Sequence, residues 1–420
     1  MINLIRSRSD FRYGFFILFK MKNFYWIGLL SILVALKITP TIAQNESDER
    51  ALLEVQNGIS ISKDSLFKLN LRFRMQNRFG LRTESGEDLA IEQIDFRVRR
   101  MRLRLDGYVL NPRIQYYIQL GFSKADLDLD GGDFAQPIRD AIIYYYLNPN
   151  FYFGFGQSKL PGNRERVVSS GNLQFVDRSI ANGVFTLDRD FGFFAYYTIP
   201  NKGKAQYQLK GAVSTGEGRN PSPGDNGLSY TGRIEYLPFG KFKNGGDYSE
   251  GDLEFEPLPK LSLALTLNSN QNGARTRGQL GSDLYEKRDQ RVLIADAMFK
   301  YRGWGILAEY FQRKSSDPIT RNSLGSTRVV WIGRGHNIQV SKMVSSKSEL
   351  ALRYSEVRPE DEIKTFERQG DEVALGFSRY LNGHRIKIQG NFGYGWANNE
   401  WNLVNTSNFW FGTFQVEFGL

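Results

Sequence analysis

The 420-residue chain contains no cysteine, so disulfide staples, thiolate metal sites and a cysteine nucleophile are all excluded. Histidine is almost as scarce, present only as His336 and His384, which leaves little from which to build a Ser-His catalytic pair. Long apolar runs are missing too. The stretch from Phe24 to Leu36 covers 13 residues between Lys22 and Lys37, short of the roughly 20 that a spanning helix needs. No later stretch is apolar enough for such a helix, so a chain of this kind crosses a membrane with strands or not at all. Charge of one sign is also modest. The net charge is +10, but residues 1–43 hold six basic side chains and one acidic one, leaving 49 basic against 44 acidic, or +5. That balance does not argue for a nucleic-acid partner.

Lys22, the apolar run, Thr41-Ile42-Ala43 and the polar segment from Gln44 to Arg50 follow the layout of a secretory signal peptide cleaved after Ala43, with Met21 as an alternative start. Residues 44–65 then read as a short periplasmic N-terminal segment, and 66–420 as the main domain.

That domain is rich in glycine (42) and in aromatic residues (31 Phe, 21 Tyr, 6 Trp), and it alternates. Phe67, Leu69, Leu71, Phe73 and Met75 share one face of a strand while Lys68, Asn70, Arg72, Arg74 and Gln76 share the other. The pattern recurs along the chain, and sixteen strands can be counted, each near the 9 to 11 residues that a tilted transmembrane strand requires. Tight turns at Asn111-Pro112, Asn148 to Asn150, Pro200 to Gly203, Arg302-Gly303, Ser345-Ser346 and Asn382-Gly383 alternate with long polar connections. Such alternation is expected of short periplasmic turns facing long external loops. One connection, 240–258, is long and rich in glycine and acid where a short turn belongs. The last strand, Trp410 to Leu420, alternates aromatic residues up to the final residue. These features predict an all-β, antiparallel, up-and-down transmembrane barrel of sixteen strands in contact with outer-membrane lipid.

The strand from Asp95 to Asp106 carries the functional signal. Met101, Leu103 and Leu105 alternate with Arg100, Arg102, Arg104 and Asp106, so a greasy face toward lipid is backed by guanidinium groups toward water. Strict alternation cannot place Val98 and Met101 on one face, which predicts a bulge near Arg99-Arg100. Arg97 lies on the polar face of the same strand, and Arg72, Arg74, Arg385 and Lys387 fall on polar faces of other segments. Rings of such cations favour anions in a narrow channel, and the Arg fork matches phosphate oxygens. Few acids lie near Arg97 to Arg104 in sequence, so that cluster is expected to contact solute. Asp126, Asp128, Asp130 and Asp133 resemble a calcium loop, but Pro137 stands at the twelfth position, where a bidentate acid is required. A solvated loop is the better reading. Neither histidine has a Ser or acid identifiably beside it, so no catalysis and no cofactor are expected.

Asn57-Gly58 to Arg78, Phe96 to Leu103, Gly156-Gln157-Ser158-Lys159-Leu160-Pro161, Phe175 to Ser179 and Asp188-Arg189-Asp190-Phe191-Gly192 together give a chain that resembles the phosphate-selective porins O and P. The resemblance implies a sixteen-stranded barrel, often a homotrimer, whose long third loop folds into the lumen. Here that loop is 159–188, with Lys159, Arg164, Arg166 and Arg178 available to line a constriction. The expectation is a passive channel for small phosphate-like anions. The competing reading is a plugged, non-conducting barrel subunit of a larger outer-membrane assembly.

Overall fold

The computed structural model describes residues 52–55, 58–127, 136–201, 203–221, 227–397 and 407–420. The expected leader, Asp128, Asp130 and Asp133 lie outside them.

Sixteen antiparallel strands form the wall. In chain order they are β1 Phe67–Thr83, β2 Ile91–Val109, β3 Asn111–Gly121, β4 Ile138–Asn148, β5 Phe151–Lys159, β6 Arg189–Ile199, β7 Gln206–Ser214 and β8 Ser229–Leu237. There follow β9 Lys260–Arg277, β10 Leu280–Tyr301, β11 Trp304–Lys314, β12 Gly333–Ser345, β13 Ser348–Pro359, β14 Gly370–Asn382, β15 Ile386–Trp396 and β16 Phe409–Gly419. Each pairs with its sequence neighbour, and β16 pairs with β1 from Phe411↔Arg82 to Gly419↔Arg74, which closes the barrel and leaves no long unpaired edge. Below that seam a hairpin of Leu52–Val55 and Ile59–Lys63 takes over, with Ile59↔Leu71 to Lys63↔Phe67. Part of the 44–65 segment is therefore strand in the same sheet.

Burial is inverted relative to a soluble sheet. Along β8, Thr231, Arg233 and Glu235 are buried while Tyr230 (45%) and Ile234 (53%) are exposed. Apolar side chains can remain outward only in a solvent that is itself apolar, and charged ones inward only where water or partners meet them. A groove of about 880 Å³ on this outer face, between Phe193, Val213 and Leu267, is lined mainly by apolar groups and glycines, with Arg291, Gln312 and Lys314 also on its border.

Two of the long polar connections carry strand. Residues 272–290 form no open loop, because β9 and β10 continue to Arg277 and Leu280 and carry the hairpin beyond the wall. The connection after β11 holds a small hairpin, Ile319–Arg321 with Thr327–Val329. The bulge is where alternation demanded it. Gln76 pairs with Arg100 and Asn77 with Val98, so Arg99 is the inserted residue.

Candidate functional site: a cation-lined lumenal cavity

The connection from Leu160 to Asp188 folds inside the barrel and packs against one side of the wall. Phe185 is fully buried against Phe311 (6.1 Å between centroids) and edge-on to Trp331 (5.0 Å). Gly335 makes the seat, since a Cβ there would lie 2.8 Å from the Phe185 ring. Phe175 packs on Ala351 and Ala374 in a second cluster. Ser179 caps the helix Ile180–Phe185 by accepting from Asn182 N.

Polar anchors complete the attachment, and here several sequence-derived candidates acquire partners. Arg164 is wholly buried; Nε donates to Asp296 Oδ1 (3.2 Å) and Nη2 to Ser262 Oγ (2.8 Å), with Glu235 at 3.5 Å. Lys159 Nζ donates to the carbonyls of Arg166, Val167 and Val168 at 2.9–3.3 Å. Arg166 pairs with Asp188, and Arg178 donates to the carbonyls of Glu165 and Val168. Lys387 is also fully buried, donating to Leu173 O (2.7 Å) with Glu417 at 3.6 Å. Arg164, Arg166, Arg178 and Lys387 therefore hold the loop, because a buried cation must be paired, and none of the four borders the open space described next.

The far edge of the loop meets the arginine strand. Arg74 donates to Ser169 Oγ and Ser170 Oγ, Arg102 to Ser170 Oγ, and Gln76 to Ser170 O. Asp177 receives Arg99 Nε (3.1 Å), pairs with Arg78, and stands 3.8 Å from Arg100. Burial pushes the Asp177 carboxyl up, but Arg99, Arg78 and Arg100 outweigh it and hold it below the ordinary range. Asp126, from the loop after β3, binds Arg102 in bidentate fashion (2.7 and 2.9 Å) and Arg139 (2.9 Å). The expectation that the cluster lacked counter-ions is thus corrected: the acids come from loops distant in sequence. Asp126 itself is buried rather than solvated, and Arg97 is half-exposed beside Asp95.

Between this loop and the wall β1–β6 lies a cavity of about 460 Å³. Its lining includes Arg72, Arg74, Arg102, Arg104, Lys159, Arg189 and Arg385, seven cationic side chains, against two carboxylate side chains, Asp140 and Glu417. Asp106 and Asp126 offset Arg104 and Arg102 from behind. Ser169, Ser170, Tyr117, Tyr144 and Tyr248 complete much of the border. Of the twelve candidates drawn from the sequence, six meet here: Arg72, Arg74, Arg102, Arg104, Lys159 and Arg385. Arg100 sits just above, buried against Gln76. Arg99, Arg189 and the acids Asp177 and Asp126 were not anticipated. Only the bulge hinted at Arg99.

The long 240–258 connection is explained by its contacts. It enters the lumen from the short-turn end and docks under the inward loop. Glu250 N donates to Asn172 O (2.9 Å), Glu250 Oε2 accepts from Gln174 N (3.0 Å), and Arg164 Nη1 donates to Asp247 O (3.1 Å). Asp252 fastens its base by accepting from Glu256 N and Gly303 N. Burial, with Glu165 next, raises the Glu250 carboxyl to about 8. This segment also corrects the expectation for His384, whose Nε2 lies 2.9 Å from Ser249 Oγ. Burial and then Lys387 and Lys300 push that imidazole well below its ordinary range. His336 Nδ1 instead meets Glu356 (2.6 Å).

A closed sixteen-strand barrel with an apolar exterior, a charged lumen and an inward-folded loop defines an outer-membrane porin. Residues 67–326 match the family described as phosphate-selective porin O and P, and the chain belongs to it. It resides in the bacterial outer membrane. Its fold is similar to that of OprB from Pseudomonas putida (9% identity, TM-score 0.52, covering 84% of this chain and 94% of that one). OmpT of Vibrio cholerae (12%, 0.49, 86% and 99%) and the outer membrane channel DcaP of Acinetobacter baumannii (11%, 0.49, 84% and 98%) also align with it. No curated protein matches the sequence.

Proposed function

We propose that the protein is a passive diffusion channel, not an enzyme, that prefers small anions such as phosphate. The observation that carries this reading is the excess of cationic over carboxylate side chains around the lumenal cavity. A low-dielectric wall focuses that charge, and several guanidinium groups in succession offer moderate wells instead of one deep trap. Secretion through a signal peptide at 1–43, a periplasmic segment at 44–65 whose hairpin extends the sheet, and assembly as a homotrimer belong to the same proposal. Planar-bilayer recordings in a salt gradient test it: a reversal potential of anion-selective sign is expected, and a cation-selective one would refute it.

A second reading has one observation in its favour. The inward loop and the 240–258 segment meet inside the lumen, as a plugged barrel serving as a non-conducting subunit would require. That reading expects no current at any salt concentration.

A further inference from the structure

The cation-bearing wall is only half of the cavity. Beside it, on β3–β6, the inward positions carry tyrosine. Tyr117 and Tyr144 border the cavity, as does Tyr248 on the inward segment. Tyr144 stands edge-on to Tyr152 (5.8 Å) and Tyr196 (6.3 Å), which stack on each other at 4.7 Å. The panel is prepared for its rings: a Cβ at Gly154 would meet the Tyr144 ring at 2.8 Å. Arg104 lies 4.5 Å over the Tyr117 ring, joining the two panels.

Inorganic phosphate can use the hydroxyls of these tyrosines as donors but has no use for their ring faces. It is recognised by donors alone, which the arginines supply. Tyr117 and Tyr144 are only partly buried where they border this space, and aromatic surface gains free energy when an apolar face covers it. A volume of about 460 Å³ is also many times the roughly 30 Å³ share of one water. We infer that, within the anion-channel reading on which this rests, the preferred solute is a ring-bearing organic anion. Its charged group meets Arg72, Arg74 and Arg104 while its ring lies against Tyr117 and Tyr144. A sugar phosphate and an aromatic carboxylate share that chemistry.

The test uses the full-length protein in planar bilayers carrying chloride current, with glucose 6-phosphate, benzoate and inorganic phosphate added as blockers. Both ring compounds, or one of them, block at lower concentration than phosphate; which one does so distinguishes the two sources. In Tyr144→Ala that advantage shrinks by roughly 2- to 12-fold while block by phosphate is unchanged. Tyr144→Phe, which keeps the ring and the packing over Gly154, retains the advantage and needs no refolding of the panel. Phosphate blocking as well as the ring compounds in the wild type would overturn the inference, as would an equal shift for all three in the alanine variant. Absence of chloride current would instead overturn the channel reading itself.

Discussion

Phe185→Ala tests whether the inward loop is held by packing as well as by charge. The side chain is fully buried, touches Phe311 and Trp331, and sits on the glycine seat at Gly335. Truncating a buried phenylalanine costs about 3–5 kcal/mol. The strand ladder does not pass through this residue, so that cost falls on docking of the 180–187 end of the loop. At 1.4 kcal/mol per tenfold, the undocked population rises by about two to three and a half orders of magnitude. The opposite end remains held by Arg164, Lys159 and Asp177, so the loop swings and does not leave. The variant should run as a folded, heat-modifiable barrel on gels while its single-channel current becomes noisier and its loop is cut faster by protease. Unchanged noise together with unchanged proteolysis would show that Phe185 does not restrain the loop.

Replacing Arg100, Arg102 and Arg104 together by Gln should lower anion selectivity with the barrel intact; unchanged reversal potentials would make those arginines structural. Glu250 should couple the 240–258 segment to pH. Its carboxyl is raised from 4.5 to about 8 when docked, so docking is strongest below pH 4.5, weakens as pH rises toward 8 and is level above. Current fluctuations should therefore grow between pH 5 and 8 and be flattened in Glu250→Gln. A wild type with no pH dependence across that window would remove the coupling.

The wall was legible in the sequence because one physical rule, apolar toward lipid and polar toward water, acts on every strand with period two. The same rule located the bulge, since Val98 and Met101 could not otherwise both face outward. What it could not reveal was pairing across the lumen. Asp177 lies 78 residues from Arg99 and Glu309 lies 144 from Glu165, and no periodicity connects such positions. Arg164 and Lys387 read as solute contacts for that reason, although closure of the loop buries both. The 240–258 segment was visible as an anomaly of length and composition, while its direction into the lumen depends on contacts of Glu250 with the backbone of Asn172 and Gln174 that no periodicity connects.

Reversal potential across a planar bilayer under a tenfold salt gradient is the most direct test of the central claim. A cavity bordered by seven cationic and two carboxylate side chains predicts a potential displaced toward the anion limit. A potential at zero or toward the cation limit would contradict it.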